Sequence, residues 1–284
     1  MSKFVLMAES GADIDPKLVE RYQIHIVPMH VSFGEETLND LDFPAQKVFD
    51  YYNNTGTIPK TSGCNPEDFI EAFDEVHARF HDKHILHLAY SAVTTCSFQS
   101  AAIASEGRDY ITSIDTKQVS VAQGIIVVKT AQYLEANPDC TLDELVAVAN
   151  SLIDTNHMGF FPDDLAYLKA GGRVSNAAYM GAKILNLHPL IEIIDGKLTS
   201  TKKYRGSMRY IVPKLLKDLG ETYNFDKDFI LLGCTDGTAD IVKEKADLAA
   251  RELGYKEVMW MYAGCVICTH GGPGAFGIVG FSKK

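Results

Sequence analysis

The segment from Leu165 to Lys197, LAYLKAGGRVSNAAYMGAKILNLHPLIEIIDGK, constrains the architecture more than any other part of the chain. Leu165, Ala166 and Leu168 set a short apolar helical pattern. Gly171-Gly172 interrupts it, because glycine accepts positive φ at no steric cost. Arg173 follows, a planar five-donor cation beside a tight backbone turn. Ser175 or Asn176 then offers the cap of a second helix over 177–186, whose Ala177, Ala178, Gly181 and Ala182 let another backbone come close. His188-Pro189 ends that helix, since the residue before proline avoids the helical region. The following PLIEII reads as a strand, with Asp195-Gly196 as its hairpin turn. The pattern before this segment differs from the pattern after it. It is therefore expected to join two domains, residues 1–157 and 158–284.

Upstream, strands alternate with helices. Apolar runs at 4–8, 24–33, 84–90 and 110–114 read as strands, and helical spacing recurs at 43–52, 66–80, 99–106, 118–134 and 141–155. Asp15-Pro16 starts a short helix, and Asn65-Pro66 another that lines up Phe69, Phe73, Val76 and Phe80. Thr141, with Glu144 three residues on, forms a capping box. This alternation predicts an α/β domain, a mostly parallel Rossmann-like sheet with helices on both faces. Ligands gather at the carboxyl ends of such strands. Three polar loops fall there, 9–13, 61–65 and 91–97. Downstream, the order is strand 190–194, strand 198–203, helix 207–219, strand 228–234, helix 238–253, strand 256–262 and a glycine-rich loop feeding a last strand. That order predicts an α+β two-layer domain with helices on one face.

With 284 residues the chain is long for one core and comfortable for two. The net charge of −10 argues against nucleic acid and against more than transient contact with an anionic membrane. No apolar run reaches membrane-spanning length, and MSKFVLMAES reads as a first strand rather than a secretion signal. Six scattered cysteines form no disulfide framework, which fits a reducing cytoplasm.

Several motifs fail on context. Gly272-Pro-Gly274-Ala-Phe-Gly277 has the G-x-G-x-x-G spacing, but a dinucleotide site needs it early in a βαβ unit and opening a helix. Gly196-Lys197 is followed by Leu198, so there is no phosphate loop, and no G-x-S-x-G elbow occurs. Cys265-Val-Ile-Cys268 is a lone pair where zinc wants four ligands, and it reads as buried thiols beside a strand. Taken singly, Thr61, Ser62, Ser91 and Thr94 are ordinary turn and cap residues. His270 alone reads as structural, and Arg173 as a domain tie. As a set they place two hydroxyl clusters at strand ends, a histidine before a glycine loop and an arginine at the joint.

The Leu165–Lys197 segment resembles the central signature of the DegV family, and the resemblance extends along the chain. Glu9-Ser-Gly-Ala-Asp13 is similar to the family's first loop, Lys60-Thr61-Ser62 to its TS loop, Gln99-Ser100-Ala101 to part of its third loop, and His270-Gly-Gly-Pro-Gly-Ala-Phe to its C-terminal loop. The chain departs from the family pattern at Glu9, usually Asp, and at Gly63-Cys64, usually Gln-Pro. It departs again in the Ser91–Phe98 run, where Thr94 is a substitute for Ser91.

The resemblance implies a bacterial lipid-binding protein with a long-chain fatty acid buried between two domains. It implies presentation of that acid to the catalytic subunit of a fatty acid kinase, for phospholipid synthesis. The carboxylate-binding positions it implies are Thr61, Ser62, Ser91 or Thr94, and His270, with Arg173 near the site. It implies no catalytic residue, no metal and no cofactor beyond the lipid. The energetics suit a carrier. Burying about 14 methylenes of a C16 chain at ~0.8 kcal/mol each gives roughly 11 kcal/mol before ordering and association are subtracted. The tail then supplies affinity and the head group orientation. Phosphoryl transfer also needs Mg²⁺ and a phosphate cradle, which must then sit on the partner. The competing reading is an enzyme, a small-molecule transferase or kinase substrate domain with His270 as nucleophile or base. A deep apolar tunnel favours the lipid, and a small wet pocket the enzyme.

Overall fold

A computed structural model describes residues 3–172 and 187–283. Arg173, the cap at Ser175 or Asn176 and the helix expected over 177–186 lie outside the described residues. The first half runs β1 (Phe4–Glu9), a 3-10 turn (Ser10–Ala12), α1 (Pro16–Tyr22), β2 (His25–Val27), β3 (His30–Phe33), β4 (Glu36–Asn39), α2 (Gln46–Thr55), β5 (Lys60–Ser62), α3 (Pro66–Arg79), β6 (His84–Ala89), α4 (Ser97–Ala104), β7 (Ile111–Asp115), α5 (Ser120–Ala136) and α6 (Leu142–Thr155). The second half runs β8 (Asn156–Phe161), α7 (Leu165–Ala170), β9 (Leu187–Ile194), β10 (Lys197–Arg205), α8 (Met208–Thr222), β11 (Phe229–Cys234), α9 (Asp240–Glu252), β12 (Glu257–Tyr262), α10 (Cys265–Gly271) and β13 (Phe276–Phe281).

The first sheet is parallel throughout, in the order β2-β1-β6-β7. The second has six strands in the order β10-β9-β8-β13-β11-β12 and is mixed. The expected α/β and α+β halves are both present. The expected strand 24–33 divides in two. β2 joins the parallel sheet, while β3 turns away after Pro28 and pairs with β4 and β5 in a small third sheet. Thr61 and Ser62, expected in a loop, are therefore strand residues opposite Val31 and His30.

The second sheet sorts its apolar residues by strand alternation. Ile230, Leu232 and Ile278 pack with Val212, Leu216 and Ala246 of α8 and α9. Leu231, Val279 and Met261 face the other way, into the core shared with the first half. Between the two sheets lies α5, buried on nearly every side, as an apolar-all-round helix must be. Capping boxes close Asn65 with Asp68 and Thr141 with Glu144. β8 was not foreseen, because NHMGFF carries no alternation and directly follows a helix. All six of its residues pair with β13. We therefore propose that the second folding unit begins at Asn156 rather than at residue 158.

Candidate functional site

A cavity of about 620 Å³ lies between the two sheets. That is within the ~300–1,000 Å³ usual for small-molecule sites. Met29, Val119 and Val121 line it from the first half, and Met158, Phe160, Leu198, Ile267 and Phe276 from the second. Thr61, Ser62, Thr94, Thr95 and His270 also line it. Glycine keeps parts of the wall thin. A Cβ at Gly233 would meet Val121 at 2.9 Å, and one at Gly277 would meet Phe160 at 3.0 Å.

The polar residues are brought together by specific stitching. Thr61 Oγ1 lies 2.7 Å from His270 Nε2, and the histidine tautomer decides which of them donates. The Ser97 hydroxyl accepts from Cys64 N–H at 3.1 Å, tying the TS strand to the 91–97 loop. Gly63 is required there, since a Cβ would come within 2.5 Å of Ser97 Oγ. His270 has a comparable neighbour in Gly171, where a Cβ would sit 2.4 Å from Nδ1. The Gly171-Gly172 break thus leaves room for the imidazole as well as ending α7.

Of the two alternatives for the carboxylate position, Ser91 and Thr94, Ser91 has its hydroxyl engaged elsewhere. It is buried, does not line the cavity, and donates its hydroxyl to the Gly196 carbonyl at 2.9 Å. It clamps the β9–β10 hairpin, whose Asp195 and Gly196 both have positive φ (49° and 78°). A Cβ at Gly196 would meet Ser91 Oγ at 2.6 Å. Thr94 does line the cavity, and its hydroxyl donates to the Ser91 carbonyl at 2.9 Å. Arg173 lies outside the described residues.

Two buried acid clusters lie beside the site; Glu9 and Asp13 belong to the polar loop expected over 9–13, and Asp40 to none of the three expected loops. Glu9 Oε2 accepts from Tyr90 N–H and Gln123 Nε2, each at 2.9 Å, and its other oxygen lies 3.4 Å from His87 Nε2. Burial alone raises this carboxyl, but His87 and the hydrogen bonds outweigh it and hold Glu9 below its ordinary value. Asp13 and Asp40 cap α10, the helix that carries His270. Asp13 Oδ1 accepts from Gly264 N–H at 2.7 Å, and Asp40 Oδ1 accepts from Cys265 and Val266 N–H at 3.0 and 3.2 Å. Burial pushes both carboxyls up, Asp13 strongly. A polar residue closing an apolar strand was a readable signal for Glu9. Asp40, in an unremarkable polar turn, gave none.

Cys265 and Cys268 are buried, and they sit on α10, which follows β12 directly and extends through Thr269, where a loop was expected to begin. Burial raises Cys265 to about 12 and Cys268 well above the usual thiol value, so neither is an activated nucleophile. Gly272–Gly277 follows a helix and enters β13, the reverse of a dinucleotide turn. Among the described residues, no group of three or more His, Cys, Asp and Glu is placed to hold a metal ion. No helix among them is long and apolar enough to cross a membrane.

The family model described as "uncharacterised protein, DegV family" matches residues 3–283. The DegV domain-containing protein YteA of Lactococcus lactis is 28% identical over 294 aligned positions, covering 99% of this chain and 98% of that protein. A DegV family protein from Thermus thermophilus, described by its fatty acid binding, superposes with a TM-score of 0.86 at 25% identity, over 99% of this chain and all of that one. The fatty acid kinase B3 protein of Streptococcus pneumoniae, solved loaded with linoleic acid, has the same fold, with a TM-score of 0.85 at 16% identity and full coverage of both chains.

Proposed function

The chain belongs to the DegV family, and from that membership we propose that it binds one long-chain fatty acid in the cavity and presents its carboxylate to a partner kinase. The observation that carries this reading is the cavity itself. Its volume is about 620 Å³, its wall is largely aliphatic and aromatic, and a hydroxyl–imidazole pair lines it. The fatty acid binding described for the Thermus thermophilus relative supports it. Thr61, Ser62 and His270 orient the carboxylate, with Thr94 in the place expected for Ser91. Neutral hydroxyl donors hold an oxygen without quenching its charge, which suits an oxygen that must later attack a phosphate.

The polypeptide supplies the substrate and its orientation, and the partner supplies nucleotide, Mg²⁺ and phosphate cradle. The protein works in the cytoplasm and meets a membrane transiently. Incubating it with ATP, Mg²⁺ and oleate tests the division of labour. Acyl phosphate is expected with a fatty acid kinase catalytic subunit added, and none without it. Acyl phosphate from this chain alone would overturn the carrier reading.

A further inference from the structure

We propose that Asp13 and Asp40 are positioning residues for His270: two side chains of the first half fix the amino end of the helix whose carboxyl end carries the imidazole. This rests on the reading of His270 as part of the carboxylate site.

Helix α10 has seven residues, and its N-cap is Gly264, which has no side chain to cap it. Its first three amides, on Gly264, Cys265 and Val266, are instead satisfied by Asp13 and Asp40, distant in sequence. The remaining carboxylate oxygens are held as well. Ser120 donates to Asp13 Oδ2 at 2.5 Å, and Ser10 donates to Asp40 Oδ2 at 2.7 Å. Ser10 in turn accepts from Met29 N–H at 3.0 Å. Both aspartates are buried. They converge on one point, since a Cβ at Gly264 would lie 3.1 Å from Asp13 Oδ1 and 3.5 Å from Asp40 Oδ1.

His270 lies five positions after Cys265, about 7.5 Å of helix rise. Over so short a rod, a slip at one end appears at the other. Thr61 holds the far end at His270 Nε2. Thr61, Asp13 and Asp40 all come from the first half of the chain. The helix is thus registered at both ends by the unit opposite its own strands.

The test reads the imidazole directly in full-length protein with ¹⁵N-labelled histidine, the His270 ring signals being assigned with a His270→Gln variant. Asp40→Ala is expected to move the His270 ring-nitrogen shifts away from their wild-type, Thr61-bonded values. Asp40→Asn keeps an acceptor for the Cys265 and Val266 amides and is expected to restore them. With the partner kinase, acyl phosphate formation by Asp40→Ala is expected to fall about 100-fold while bound fatty acid is retained, the cost of about 1 Å of misplacement. If Asp40→Ala does not fold, Gly264→Ala perturbs the cap without deleting it and is expected to move the same signals. Unchanged His270 shifts in a folded Asp40→Ala or Gly264→Ala protein would overturn the positioning role. The ring signals are read with or without lipid. A wild-type protein that takes no fatty acid therefore overturns the fatty acid reading separately.

Discussion

Thr61 and His270, 209 positions apart in the chain, meet at 2.7 Å between Oγ1 and Nε2. This contact links the small third sheet to the helix before the last strand, and both residues line the cavity. Thr61→Val keeps the shape and removes the hydroxyl. Stability should fall by about 0.5–1.5 kcal/mol, the net value of a neutral hydrogen bond. The tail contributes several times more to affinity, so bound lipid should be retained. Partner-dependent acyl phosphate formation should drop by about 100-fold. Turnover at the wild-type rate would remove Thr61 from the site.

Gly171→Ala tests the second neighbour of the imidazole. The new Cβ would lie 2.4 Å from His270 Nδ1. The ring or α7 must move, at a cost of about 1–3 kcal/mol. Transfer to phosphate should fall with lipid still bound. Wild-type urea midpoint and turnover together would show that the glycine is dispensable there.

Ser91→Ala separates a clamp from a ligand-binding role. The variant strands the Gly196 carbonyl in a buried position, so about 1–3 kcal/mol of stability should be lost. Turnover per folded molecule should stay near wild type. Unchanged stability with turnover lost would instead place Ser91 on the carboxylate.

The buried carboxyls predict opposed pH dependences. Asp13 and Asp40 are raised above 3.8 by burial, which outweighs the hydrogen bonds they accept. From about pH 4 upward the folded protein therefore holds protons that the unfolded chain has released, and stability falls with rising pH across that window. The slope is at most about 1.4 kcal/mol per pH unit per carboxyl. Glu9 is lowered from 4.5, so its contribution is complete above that value and is lost as pH falls through its folded value. Urea midpoints across this range should decline less steeply above about pH 4 in Asp13→Asn than in wild type. A Glu9→Gln protein should lack part of the acid-side loss. Superimposable curves for Asp13→Asn and wild type would contradict the burial argument.

The sequence was informative where local chemistry decides structure. Asp15-Pro16, the Asn65 cap before Pro66, the Thr141–Glu144 box and the Asp195-Gly196 turn all act within a few residues, and each lies where its pattern puts it. Lys60-Thr-Ser62 has the pattern of a loop, because it is a strand only through its pairing with β3. α10 was missed because its amino-end caps, Asp13 and Asp40, are distant in sequence. In the site, hydroxyls and a histidine at strand ends were legible as residue types. Which hydroxyl faces the cavity was not. Ser91 and Thr94 are near neighbours in one loop, and the choice rests on the Gly196 carbonyl that Ser91 meets across the hairpin.

The most direct measurement of the central claim is the lipid itself. Protein purified from a bacterial host without added fatty acid is extracted with organic solvent, and the extract is quantified by mass spectrometry against folded protein. The cavity between the two sheets predicts close to one long-chain fatty acid per chain, and exchange for added palmitate or oleate. An extract without stoichiometric fatty acid, from protein that also takes up neither added acid, would contradict the account.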